Sequence, residues 1–308
     1  MSVLLMTVWL TGCVQEELGS TPSPAGNGIR FTLTVPDVNL PSVSSRTMTG
    51  AGTAKKEDEI ETVDILVFDA SKTPAVYLEW VTATGVTQDL ADNSTVSFSA
   101  KLPFTTASTC IVVVANRELD DIVSGFKKGV TTKVEAMEKM LHTQTGKWLA
   151  DGSTTGGYTR IPMYGEKVIN KITPSMEPIT GINMKRMLAR IDIHNNSVTS
   201  NFTVEEVYLA NYNTTGYIAP PWNTNGQVTE PAPDTPVLPA NSGKMTEEGD
   251  AILYSVKGNT PYDGEIYTFE SLAAEDAGGV GQDGEASRKD ATCLIVKGRI
   301  GTGESTFY

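Results

Sequence analysis

Apolar and polar residues alternate strictly near the start of the chain, at 29–35. Ile29, Phe31, Leu33 and Val35 are separated by Arg30, Thr32 and Thr34. A period of two marks a strand buried on one face. Pro36 ends it, because proline cannot donate to a central ladder. Residues 36–45, where Pro, Ser, Asn and Asp are prominent, read as exposed linker, and Arg46 stands at its end. A cut after Arg46 would let the strand leave. Burying its four apolar side chains is worth roughly 6–12 kcal/mol, at ~1.5–3 each. A whole domain is stable by only about 5–15 kcal/mol. A domain that lost this strand would therefore need a replacement. On these residues alone, an ordinary first strand with an ordinary surface arginine is the simpler reading.

Further along, β-branched and apolar runs predict strands at 60–69, 76–81, 94–102 and 109–115. The last is apolar on both faces, which places it at the centre of a sheet. One helix is predicted: Thr132 and Glu135 form a capping box, Val130, Val134, Met137 and Leu141 recur at helical spacing, and Gly146 ends it. A shorter helical turn is expected within 118–126. Residues 160–166 lead into another strand, and the prolines at 174 and 178 suggest a hinge between two halves. After it, Met187, Ala189, Ile191 and Ile193 share one face of 184–193. A strand pair is expected within 202–217, then strands at 252–256, 265–272 and 291–300. Asp263 and Gly264 form the turn before the second of these. Residues 219–242 and 274–288 are long polar loops. The chain begins one more strand at 305–308, so we expect it to continue beyond Tyr308. The pattern as a whole is two mostly-β sandwiches with one or two short helices in the first.

Composition narrows the function. With a net charge of −13, the 308-residue chain is ill-suited to nucleic acid or an anionic membrane by simple electrostatics. Two histidines in the whole chain, His142 and His194, argue against His-based catalysis or a His-rich metal site. The chain carries no nucleophile elbow, P-loop, dinucleotide fingerprint, zincin helix or EF-hand spacing. The sequence therefore predicts no enzyme, no cofactor and no metal, with a loose calcium site at the acidic loops around Glu247 and Glu275 as a minor alternative. Cys110 and Cys293 lie in apolar strand runs and read as buried free thiols, a disulfide between them being the alternative. Trp222, after two prolines in a long loop, is the one candidate platform for stacking a sugar; a loop anchor packed on its own sandwich is the simpler role.

Residues 1–10 are apolar but too short to span a bilayer as a helix. They read as the core of a signal segment, and the missing basic residues predict a start farther upstream. Leu10, Thr11 and Gly12 before Cys13 resemble a bacterial lipobox, in which the thiol is lipidated and anchors the mature N-terminus to a membrane. Glu16 and Glu17 then resemble the surface-export signal of Bacteroidetes lipoproteins.

Taken together, the chain resembles the fimbrillin family of Bacteroidales, the subunits of type V pili. The resemblance rests on Cys13, the first strand, and Arg46. It extends through Glu59 to Asp69, the Val-Val-Val-Ala run before Asn116, and Ile161-Pro162-Met163-Tyr164-Gly165. It ends with Lys185-Arg186-Met187-Leu188-Ala189-Arg190-Ile191 and Val207-Tyr208-Leu209-Ala210-Asn211-Tyr212. It implies two tandem transthyretin-like β-sandwich domains. The expected divisions are a signal segment at 1–13, a propeptide at 14–46, and domains at 47–180 and 181–308. It also implies export as a lipoprotein to the outer-membrane surface, with lipid on Cys13. An arginine-specific or trypsin-like protease then cuts between Arg46 and Thr47, and the strand bearing Ile29, Phe31, Leu33 and Val35 is displaced. A strand from another pilus subunit, generally a C-terminal one, fills the groove, and the fimbria supports adhesion. The alternative is a surface glycan-binding lipoprotein using Trp222.

Overall fold

The computed structural model describes residues 28–35, 57–89, 95–149, 159–193, 201–219, 237–245, 249–255, 262–272 and 291–307. The alternation near the start folds as β1 (Ile29–Thr34), and Val35 beyond it is buried as well. The strand lies inside a four-stranded sheet, in the order β4 (Thr84–Gln88), β5 (Thr95–Ala100), β1, β9 (Ile179–Asn183). The five-stranded sheet packed on it runs β10 (Lys185–Arg186), β8 (Met163–Ile169), β6 (Thr109–Ala115), β2 (Val63–Asp69), β3 (Val76–Thr82). Side chains alternate across each strand. So Ile65, Val67, Ile111 and Val113 meet Phe31, Leu33, Val96 and Phe98 in one core between the sheets. Leu66, Phe68, Cys110, Val112 and Val114 point the other way, into a second core under two short helices. The central strand β6 is buried along all seven residues, as its unbroken apolar run predicts.

Those helices are α1 (Asp120–Val123) and α2 (Lys133–Glu138). The capping box forms: Glu135 N–H donates to Thr132 Oγ1 at 3.2 Å, and Thr132 N–H donates to Glu135 Oε2 at 2.8 Å. The helix is shorter than the spacing predicts. It ends before Leu141, which opens β7 (Leu141–Thr143), paired with β13 (Thr215–Tyr217). Val130, placed on the helical stripe by sequence, is 65% exposed. Long-range pairing has overridden local periodicity.

The remaining strands form a two-stranded sheet, β11 (Ala189–Ile193) with β15 (Tyr262–Thr268), and a four-stranded one. The latter runs β14 (Ile252–Ser255), β12 (Phe202–Ala210), β16 (Cys293–Ile300), β17 (Thr306–Phe307). Val204, Val207, Leu209, Tyr254 and Ile266 make a third core there. Tyr267 and Phe269 instead enter the helix-covered core, so the two halves share apolar contacts. The fold is mostly β, in packed open sheets with short helices.

Several sequence expectations change. The run 184–193 is not one strand: β10 pairs with β8 and β11 with β15, and of its shared face Ala189, Ile191 and Ile193 lie on β11 while Met187 lies between the two strands. The pair expected within 202–217 is not a hairpin, since β12 pairs with β14 and β16 while β13 pairs with β7. Asp263 and Gly264 lie inside β15, not in a turn before it. Cys110 and Cys293 are free thiols, but only Cys110 is buried. Cys293, the first residue of β16, is exposed.

Candidate functional site

Position in the chain and position in the sheet disagree for β1. It is the first described strand, yet it sits between two neighbours rather than at an edge. On one side β5 runs antiparallel, matching Ile29 with Ala100, Phe31 with Phe98 and Leu33 with Val96. On the other side β9 runs parallel, matching Phe31 with Ile179 and Leu33 with Ile182. The register shifts between those two pairs, beside Gly181, whose φ of 71° suits glycine. Beyond the ladder, Met184 N–H donates to Thr34 C=O at 2.8 Å.

The inward side chains are fully enclosed. Phe31 is 1% and Leu33 0% exposed, and Ile29 and Val35 are buried too. Phe31 stacks on Phe98, with ring centroids 4.9 Å apart and planes 8° from parallel. Arg30 and Thr34 face outward. Among the described residues, β9 has β1 as its only ladder partner. Without β1, the sheet would hold a slot one strand wide. Its walls would be the open edges of β5 and β9, and its floor Ile65, Val67, Ile111 and Val113. Gly165 on β8 lets the far wall close down. A Cβ there would lie 2.8 Å from both Ile182 Cγ2 and Met184 Sδ. Such a slot binds an extended segment by main-chain hydrogen bonds on two edges and selects it by alternate side chains.

Ile29, Phe31, Leu33 and Val35 are thus brought together on one face, as the alternation predicts. Cys13, Arg46, Thr47, Trp222 and His194 lie outside the described residues. His142 is on β7, where its ring packs against Trp148 at 5.2 Å between centroids. Sequence reasoning missed the slot's far wall, because the β9 segment is short and interrupted by Gly181. It also missed Glu57. That residue lies in a charged run, 55–59, that reads as solvated, yet it is 4% exposed. Its partners Arg190 and Tyr267 are 133 and 210 residues away, beyond any local pattern. Among the described residues, no three His, Cys, Asp or Glu side chains gather to hold a metal, and no helix is long and apolar enough to cross a membrane.

The described residues thus form a β-sandwich in which β1, the first described strand, lies in the interior of a sheet. The family model of the major fimbrial subunit protein (FimA) matches residues 29–196, more than half of the chain and starting at the first residue of β1. The chain belongs to that family. Solved structures similar to it include a fimbrial assembly protein from Parabacteroides distasonis, 13% identical, with a TM-score of 0.45 over 91% of this chain and 85% of that one. A candidate cell adhesion protein from the same species is 16% identical, with a TM-score of 0.48 over 92% of this chain and 79% of that one. No curated protein matches the chain.

Proposed function

We propose that this chain is a structural subunit of a cell-surface fimbria, assembled by exchange of β1 for a strand of another subunit. The observation that carries the reading is the placement of β1: central in its sheet, enclosed on its inner face, and the first described strand. A linker ending in Arg46 follows it. Membership of the fimbrial subunit family supports the cell-surface role. In this reading Cys13 carries lipid and holds the precursor at the outer membrane. An arginine-specific or trypsin-like protease cuts between Arg46 and Thr47, and the propeptide leaves with β1. The incoming strand comes from another pilus subunit, and the polymer supports adhesion. No cofactor takes part.

The incoming strand must present apolar side chains at four alternating positions. A flat ring at the second would repeat the stack of Phe31 on Phe98. The test uses the full-length precursor. Trypsin should make one early cut, after Arg46, followed by a ladder of polymers on a denaturant-free gel. Arg46→Ala should abolish both. Arg46→Lys should keep the trypsin cut but lose cleavage by an arginine-specific protease. A chain that resists cutting at Arg46, or is cut there and stays monomeric, contradicts the reading.

A further inference from the structure

After β1 the described chain resumes at Glu57, in a node the slot does not use. The Glu57 carboxylate accepts from Arg190 Nη1 at 2.8 Å and from the Tyr267 hydroxyl. Its carbonyl accepts from Arg186 Nε at 3.0 Å. Arg190 on β11 and Tyr267 on β15 are register partners, directly opposite each other. Arg186 lies on β10, which pairs with the first sandwich through β8. Glu57 therefore gathers strands from both halves of the molecule, β11 and β15 through its carboxylate and β10 through its carbonyl. A carboxylate at this burial persists only with charged and hydrogen-bonding partners, so the node forms or fails as a unit.

The residues after Glu57 are bracketed independently of β1. Gln88 accepts from Ile60 N–H at 3.0 Å and donates to Asp58 C=O at 2.7 Å. Asn116 accepts from Glu61 N–H at 3.0 Å and donates to Glu59 C=O at 2.8 Å. The node also reaches the slot. β9 and β10 are consecutive, separated only by Met184, so the far wall of the slot runs straight into Arg186.

We propose that Glu57 is a latch. Its carboxylate fixes β11 and β15 against the first sandwich, and its carbonyl, held by Arg186 on β10, keeps β9 in place when β1 is out. The first role stands on the geometry alone; the second rests on the strand-exchange reading above.

Lys185, Arg186 and Arg190 are themselves trypsin targets, which gives a direct readout. In the intact chain, trypsin should cut after these three at least tenfold faster in Glu57→Ala than in wild type, with Glu57→Gln in between. Amide hydrogen exchange over 179–193 should rise in the same order. Glu59→Ala, which removes the pairing with Arg160 at 3.2 Å, should match wild type. The latch is overturned if Glu57→Ala keeps a native circular dichroism spectrum together with wild-type cutting and exchange over this segment. Should Glu57→Ala fail to fold, the same comparison on Glu57→Gln decides. The second role is read in chain cut after Arg46 and stripped of β1. Wild type should hold exchange at 179–186 within threefold of the uncut chain, whereas Arg186→Ala, which removes the donor to the Glu57 carbonyl, loses tenfold. Equal losses overturn it. Cutting at Arg46 is scored separately in the same digests. Its absence counts against strand exchange and leaves the intact-chain comparison standing.

Discussion

His142 shows what burial does to a single residue. Desolvation, with the nearby Arg117 charge as the smaller cause, holds its imidazole down at about 4, against an ordinary value near 6.5. The folded chain therefore binds fewer protons than the unfolded chain between those values. The stability tied to neutral His142 is fully present above about pH 6.5, falls as the pH drops through the window, and is gone below about 4. An NMR titration should place the His142 midpoint near 4, and His142→Asn should flatten the loss of stability across this window. An ordinary midpoint near 6.5 would contradict it. Lys133 carries the same lesson. It is 1% exposed and ion-paired with Glu166, which also accepts from the Tyr164 hydroxyl. Burial beside that group pushes the Cys110 thiol up to about 11, so it is protonated and inert at neutral pH. None of this is visible in a sequence, where a lysine at the first turn of a capped helix reads as solvated.

At the scale of the element, β1 concentrates its energetics in alternate positions. Phe31→Ala removes a ring enclosed by Phe98 and the opposite sheet and should cost about 3–5 kcal/mol, as large-to-small core changes do. Arg30→Ala, on the outer face, should stay within about 0.5 kcal/mol. Urea unfolding at constant m-value measures both, and equal costs would show that β1 does not occupy the slot. The elements that were legible in advance are those whose signal is local. The alternation of β1, the two-faced run of β6 and the Thr132–Glu135 cap each depend on residues within one turn or one pleat. The failures have a common physical cause. Leu141 continues a helical spacing but is taken by β13, whose Tyr217 lies 76 residues on, in the register that matches Leu141 with Tyr217, Thr143 with Thr215 and His142 with Gly216. Residues 184–193 keep one period of two, but a period does not say which sheet a strand joins. Half of the slot was therefore readable, the half carried by β1 itself. The walls come from β5 and β9, which register alone assigns.

For the whole molecule, the question is what a cut in the linker changes. While the chain is continuous, residues 36–56 tether β1, which sets its effective concentration on the order of millimolar. A cut after Arg46 removes the tether and none of the contacts. The strand then becomes a separate peptide, held by roughly 6–12 kcal/mol of apolar burial less the cost of association. The stripped chain should accordingly unfold at a lower temperature. A peptide of the sequence 28–35 should raise that temperature in a concentration-dependent way, because a ligand that binds only the folded state stabilises it by mass action. The same peptide should cap the slot and stop polymer growth. Register makes the prediction specific. Substituting Asp at the Phe31 position puts an unpaired carboxylate against Phe98 and the floor residues, and should abolish the rescue. Substituting Glu at the Arg30 position changes only the outward face, and should keep it. Calorimetry with the three peptides separates recognition of β1 from generic stickiness of exposed sheet edges. Only the slot distinguishes position 31 from position 30. Equal rescue by all three peptides would mean that the main chain alone is read, and the alternating side chains would lose their part in choosing the partner strand.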